Sequence, residues 1–338
     1  MKRYYLLLLF VAFTSSFSYG FKIIKLDSIL GPRNIILRTY KWVDKAFNSY
    51  DSAYVAGTGK YFNFKIKNDN WIDTYTFGYT GNKHVVMNSD FSSHIGVSLG
   101  YRAVSIGYMM NVKNAFKKDS PSRKRADFSF TCSRVICSAY YSINEDAPRI
   151  SKFGNLSRLN YRFDDGLKTE SYGLELIYIF NNRRFSQAAS NYSRIQKRSS
   201  GTLYGGVSIA AHDLKLDFSK LPQEMKNELP NDNYFYRFKY NDYSFIIGYG
   251  YNWVFAKRWL LSASLTPMMG FKHCKEQSTE GERDLFSINA SAKLSVVYNK
   301  SRYFAGLICQ YNTYSYLSDD YSVTNSIGTF NICAGVRF

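Results

Sequence analysis

Acidic residues are scarce in this chain: 26 Asp and Glu stand against 44 Lys and Arg over 338 residues, a formal charge of +18. Histidine is limited to 4 residues and proline to 6. Cysteine numbers 5, an odd count that leaves at least one thiol unpaired. No Cys or His spacing resembles a zinc site. No phosphate loop, calcium loop or paired-carboxylate site is evident, so no cofactor or metal is expected. Beyond residue 20 the chain lacks any run of about 18 apolar residues, which excludes a transmembrane helix. A strongly basic balance ordinarily points to nucleic acid; the signs of export that follow argue against that partner.

What the chain does have is a leader and an alternating pattern. Lys2 and Arg3 precede an apolar run from Leu6 to Phe13, and Ser18-Tyr19-Gly20 supplies small residues for cleavage after Gly20. Residues 1–20 therefore read as a secretory signal peptide. At the other end Phe330, Ile332, Ala334, Val336 and Phe338 alternate with Asn331, Cys333, Gly335 and Arg337, and the chain stops on an aromatic. A strand with one face in lipid and one in a polar lumen must alternate in this way. Aromatics reach 18%, with 30 Tyr and 26 Phe, as aromatic girdles at two membrane interfaces require. Mean hydropathy is only −0.31, because every second strand residue faces away from lipid.

The same alternation recurs. Tyr243, Phe245, Ile247, Tyr249, Tyr251, Trp253 and Phe255 share one face, as do Phe286, Ile288, Ala290, Ala292, Leu294, Val296 and Tyr298. Tyr172, Leu174, Leu176, Tyr178 and Phe180 form a third such face. Short turns near Tyr101, Ser133-Arg134, Asn181 to Arg184, Ala256-Lys257 and Asn299-Lys300 alternate with longer links near 80–92, 112–126, 144–169, 212–241, 270–284 and 314–326. Outer-membrane barrels put short turns in the periplasm and long loops outside. The pattern predicts an all-β antiparallel transmembrane barrel of about 12 strands over residues 60–338, with both ends periplasmic. Residues 60–79 and 185–211 are long for single spans, so 14 strands is the alternative. Pro267 is placed near a strand end. Residues 21–59 form a periplasmic segment, with Ile35, Ile36, Leu37, Tyr40, Val43 and Phe47 at helical spacing after Gly31-Pro32.

Three stretches, Asp51 to Val55, Arg184 to Ala189 and Gln196 to Gly201, resemble an uncharacterised outer-membrane barrel family of Gram-negative bacteria, a domain-of-unknown-function family. The resemblance implies a barrel in the outer membrane. It implies no activity and transfers no catalytic residues. It also implies that Phe338 acts as an assembly signal read by the barrel-assembly machinery.

By parity Glu175, Lys293 and Arg337 fall on the polar face, where charges avoid a midplane cost of about 2–4 kcal/mol. They are candidates for lumen selectivity or for structural pairing. Lys117, Lys118, Arg123, Lys124 and Arg125 form a basic patch in one external loop, suited to outer-leaflet lipids including lipopolysaccharide. Cys132 shares parity with lipid-facing Phe130 and lies across a turn from Cys137, so lipid exposure or a disulfide is open to it. Three functions remain: a narrow channel for small solutes, an interaction barrel without a pore, and a lipid-modifying enzyme using His212 beside Ser244. The first is favoured and an enzyme is not expected; a monomer is favoured. The 212–241 loop, with Leu214, Leu216, Phe218, Leu221 and Met225, is suited to a folded lid.

Overall fold

Alternation in the sequence becomes alternation in exposure. Along the last strand Phe330 and Ile332 are exposed while Cys333 and Arg337 are buried. A computed structural model describes residues 49–60, 62–79, 83–101, 104–111, 123–144, 147–230 and 233–338, and the side chains of these except 101–125 and 127. The leader and the helical segment expected between residues 21 and 48 lie outside the described residues, as do Lys117 and Lys118.

The strands in chain order are β1 (Val55–Ala56), β2 (Phe62–Tyr79), β3 (Lys83–Asn88), β4 (Ser92–Tyr101), β5 (Val104–Asn111) and β6 (Arg123–Thr131). Next come β7 (Val135–Asn144), β8 (Arg149–Phe153), β9 (Leu156–Arg162) and β10 (Leu167–Ile179). A short helix α1 (Gln187–Ser190) and β11 (Ile195–Gln196) precede β12 (Ser200–Asp217). Helix α2 (Gln223–Lys226) leads to β13 (Phe235–Ala256), β14 (Trp259–Cys274), β15 (Arg283–Asn299), β16 (Tyr303–Leu317) and β17 (Ser322–Arg337).

One antiparallel ladder runs β5-β4-β2-β17-β16-β15-β14-β13-β12-β10-β7-β6, so twelve strands lie along it. The first long strand pairs with the last, from Arg337 opposite Asn63 to Ser322 opposite Gly78. Both stretches that favoured 14 strands contribute one strand each to this path: residues 62–79 are the single strand β2, and only 200–217 of the second stretch is strand β12. β2 is shared between two partners. Its first half pairs with β4 and its second half with β3, which continues into β8 and β9.

The outward face is apolar. Phe245 and Ile247 are both 69% exposed, amid a belt that includes Leu99, Leu174, Leu265 and Ile332. A patch of this extent is unstable in water and matches the lipid band of a membrane-spanning barrel. Aromatics rim it: Tyr172, Phe271 and Phe286 toward the long-loop end, with Tyr243 half-buried beside Phe271, and Phe180, Trp253, Trp259 and Tyr303 toward the short-turn end. A tilted span needs about 9–11 residues, yet β13 has 22 and β14 has 16, so these strands continue past the belt on the long-loop side. Pro267 falls in the middle of β14, not near its end. The β13–β14 ladder skips Ile247-Gly248 opposite Thr266-Pro267, which spares the proline a hydrogen bond it cannot donate. All five cysteines are free; Cys132 is buried in the β6–β7 turn, where its sulfur accepts from the Val135 amide, so it does not face lipid.

Candidate functional site: a lumen filled from both ends

The turn expected at Asn181 to Arg184 is instead an insert running to Ser199 that folds back into the barrel. Nothing in it alternates, because its burial rests on small residues and polar bonds. Phe185, Ser186, Ala189 and Ser190 are almost wholly buried. Phe185 packs with Ile179 and Tyr204, and Ala189 and Tyr192 pack with Leu260, Val297 and Phe304.

Gln196 is the hub of the insert. Its Nε2 donates to the carbonyls of Arg184 at 2.6 Å and Arg198 at 2.9 Å. Its Oε1 accepts from the Ser186 amide and from Asn252 Nδ2, each at 3.1 Å. The chain ahead of the barrel joins in. β1 pairs with β11, the Asp51 amide donates to the Arg183 carbonyl at 2.8 Å, and the Lys197 amide donates to the Tyr54 carbonyl at 2.7 Å. Arg184 and Arg198 lie over the Tyr54 ring at 5.1 and 5.8 Å. The three stretches that carry the family resemblance thus converge on one structure.

Two of the parity-assigned lumen cations hold this insert. Lys293 Nζ donates to Asn191 Oδ1 at 2.7 Å. Arg337 is 4% exposed; it donates to the Tyr192 carbonyl, to Asn299 Oδ1 at 3.0 Å and to the Lys300 carbonyl at 3.1 Å, with its guanidinium over the Phe304 ring. Tyr192 has φ 68°, the left-handed region. A bulky residue there stores about 1–3 kcal/mol of strain, which surrounding contacts must offset. Glu175 also faces the lumen, opposite Ser138 and Ser208, but away from this cluster. Of the basic patch, Arg123, Lys124 and Arg125 open β6, registered against Asn144, Ile143 and Ser142. Phe338 stacks on Phe62 at the seam, with ring centroids 6.2 Å apart.

The long-loop end is filled by an apolar cap. Phe218 sits at its centre, stacked on Phe163 at 5.3 Å and edge-on to Phe153 at 5.5 Å, with Phe77 and Tyr236 beside it. All five apolar residues of the suspected lid, Leu214, Leu216, Phe218, Leu221 and Met225, are buried in this core. Under the cap lies a polar layer. Asp242 and Lys272 face each other in register and pair at 2.5 Å, with Lys272 0% and Asp242 5% exposed in their side chains. Ser287 and Asn289 each donate to Asp242 Oδ2 at 2.9 Å, and Ser244 donates to Oδ1 at 2.5 Å. Both ions are at inward parity, so the signal that found Glu175 and Lys293 also marks them.

His212 does not meet Ser244. Its Nδ1 bonds Ser171 Oγ at 2.9 Å, and its ring stacks on Tyr240 at 5.0 Å. A nucleophilic Ser–His pair needs a third group to orient the imidazole. The two nearby carboxylates are engaged elsewhere, Asp213 with Arg237 at 2.5 Å and Asp242 with Lys272. A cavity of about 50 Å³ remains in the lumen, lined by Tyr75, Asn144, Ser171, His212, Tyr314 and Asn325 among others. Among the described residues no cluster of His, Cys, Asp and Glu could hold a metal ion.

The twelve-strand ladder, lipid-type belt and filled lumen define an antiparallel membrane-spanning β-barrel. Residues 49–338 match the family described as Domain of unknown function (DUF4421), and the chain belongs to it. No curated protein matches the chain. Among solved structures it is similar to the outer membrane protease OmpT of Escherichia coli, with 8% identity and a TM-score of 0.40, over 84% of this chain and 98% of that one. It is also similar to the translocator domain of the autotransporter NalP of Neisseria meningitidis, with 11% identity and a TM-score of 0.33, over 89% and 94%. A third likeness is to the P. putida toluene transporter TodX, with 8% identity and a TM-score of 0.29, over 82% and 90%.

Proposed function

We propose that the protein is a Gram-negative outer-membrane barrel that is closed at rest and works through its folded external cap, as an interaction barrel. Export rests on the leader, and orientation rests on the short turns and both barrel-strand termini lying at one end. The observation that carries the closed state is that the chain's own residues fill the lumen twice, with the apolar cap above and the insert below. The decisive measurement is conductance of the purified barrel in planar bilayers. Wild type is expected to show no steady current; a stable ohmic conductance sinks the closed-barrel reading.

The second reading, a narrow gated channel, is favoured by how the insert is held. Lys293, Arg337, Asn252 and Asn299 bind it by hydrogen bonds, not by an apolar core alone; each is worth about 0.5–1.5 kcal/mol net for the two amides and about 1.5–3 kcal/mol for the two charged donors. Under that reading Lys293→Ala together with Arg337→Ala produces intermittent openings in a barrel that still migrates as folded. Silence from the folded double variant leaves the interaction barrel.

A further inference from the structure

Charge is distributed very unevenly between the two ends. The pairs Lys83–Glu228, Arg149–Asp90, Arg237–Asp213 and Lys272–Asp242 all lie in the long-loop half. At the short-turn face the described residues place the acidic side chain of Asp51, whose Oδ1 is taken by the Ala53 amide at 2.9 Å; Asp69 lies deeper, on the lumen side of β2 near Tyr192. Against Asp51 stand exposed cations of two kinds. Lys257, Arg258, Lys300 and Arg302 sit on the perimeter turns, beside the aromatic rim. Arg183, Arg184 and Arg198 sit on the insert, exposed, with no carboxylate partner among the described residues.

The position of the second group decides its partner. The insert is enclosed by the barrel wall, packed on Tyr204, Leu260, Val297 and Phe304. Lipid lies outside that wall, so headgroups meet the perimeter turns and not the insert. Two of the three insert cations are also held in place. Arg184 and Arg198 share the Tyr54 ring, an arrangement that fixes guanidinium planes without neutralising them. Fixed, unneutralised guanidinium forks suit bidentate carboxylates.

We propose that the short-turn face of the insert is a docking site for an acidic segment of a partner protein, with Arg183, Arg184 and Arg198 receiving its carboxylates. The outer-membrane reading supplies only the compartment, the periplasm; the binding itself is measured on purified protein and fails or succeeds independently of it. The full barrel is refolded into phosphatidylcholine nanodiscs and titrated with a fluorescent oligo-glutamate peptide. Saturable binding is expected, weakening as salt screens the charges. R183E/R184E/R198E is expected to lose affinity by about tenfold or more, through like-charge repulsion. The perimeter variant K257E/R258E/R302E should stay within about twofold, its charges being partly screened over that distance.

Three results overturn the proposal: no saturable binding by folded wild type at low salt, equal losses in the two variants, or peptide ignored while phosphatidylglycerol vesicles bind through the insert. If the insert variant fails to migrate as a folded barrel, Arg183→Glu carries the comparison. Its side chain is exposed and makes no hydrogen bond or ion pair among the described residues, and the affinity of this variant should fall by about two- to threefold relative to wild type.

Discussion

Gln196 shows how one neutral side chain can hold an irregular segment. It is 6% exposed and satisfies two carbonyls and two donors at once. Removing it strands buried groups, at about 1–3 kcal/mol for each one left unpaired. Gln196→Ala is therefore expected to cost about 2–4 kcal/mol in reversible urea unfolding from lipid vesicles. Gln196→Glu should cost at least as much, because a carboxylate cannot donate to the Arg184 and Arg198 carbonyls. A change of less than about 0.5 kcal/mol in both would show that the insert is held elsewhere. Lys272 presents the opposite case, a charge whose value depends on its partner. Lys272→Met leaves Asp242 buried and unpaired, at about 3–5 kcal/mol, whereas Lys272→Met with Asp242→Asn should recover much of that loss. Non-recovery in the double variant would show that Lys272 stabilises through its own packing over Tyr240, not through the pair.

At the scale of elements, strands were legible and their closures were not. Period 2 placed β13, β15 and β17 with the right faces inward, since a strand in lipid has no other way to bury its polar residues. It also sent Lys293 and Arg337 to the lumen, but their partners, Asn191 and the Tyr192 carbonyl, lie in a segment without period. That segment read as a turn followed by an overlong span because Gln187, Ala188, Ala189 and Ser190 carry no amphipathic signal. Their burial comes from the barrel around them. The cap was half legible: the apolar residues of 212–241 announced a core, while the second half of β2, which builds its wall with β3 and β8, depends on contacts distant in sequence. Glu228 ties that cap down, accepting from Lys83 Nζ at 2.9 Å and from the Asn155 amide at 3.3 Å. The Lys83 hydrogen bond holds its carboxyl below the usual value of 4.5. A depressed carboxyl stabilises above its unfolded pKa, and that contribution disappears as pH falls through the folded value. Amide exchange over 218–230 should accelerate below about pH 4.5 in wild type, after correction for intrinsic rates. Glu228→Gln should be fast already at neutral pH and insensitive to acid. Identical pH profiles would exclude Glu228 as the tie.

For the whole molecule the decisive closure is the seam between β2 and β17. Chain ends far apart in sequence must find each other, which makes this pairing entropically costly and late in assembly. Its last rung is Phe338. The Phe338 amide donates to the Phe62 carbonyl and the Phe62 amide to the Phe338 carbonyl, each at 3.1 Å, and the two rings stack with planes 9° apart. Phe338 is 59% exposed on the outward face, at the level of the short-turn aromatic rim. Its ring is thus placed to anchor the strand at the membrane interface, where aromatics sit with one edge in lipid and one in water. Stacking contributes about 0.5–1.5 kcal/mol beyond burial, too little to unfold a finished barrel but enough to bias a slow seam toward closing. Phe338→Ala should therefore lower the yield of the heat-modifiable folded species while leaving the urea midpoint of the purified folded fraction nearly unchanged. Phe338→Tyr should restore the yield, since it keeps the ring and the rung. Unchanged yield in Phe338→Ala would show that the seam closes without its terminal aromatic; a large drop in midpoint would make its role one of stability and not of assembly.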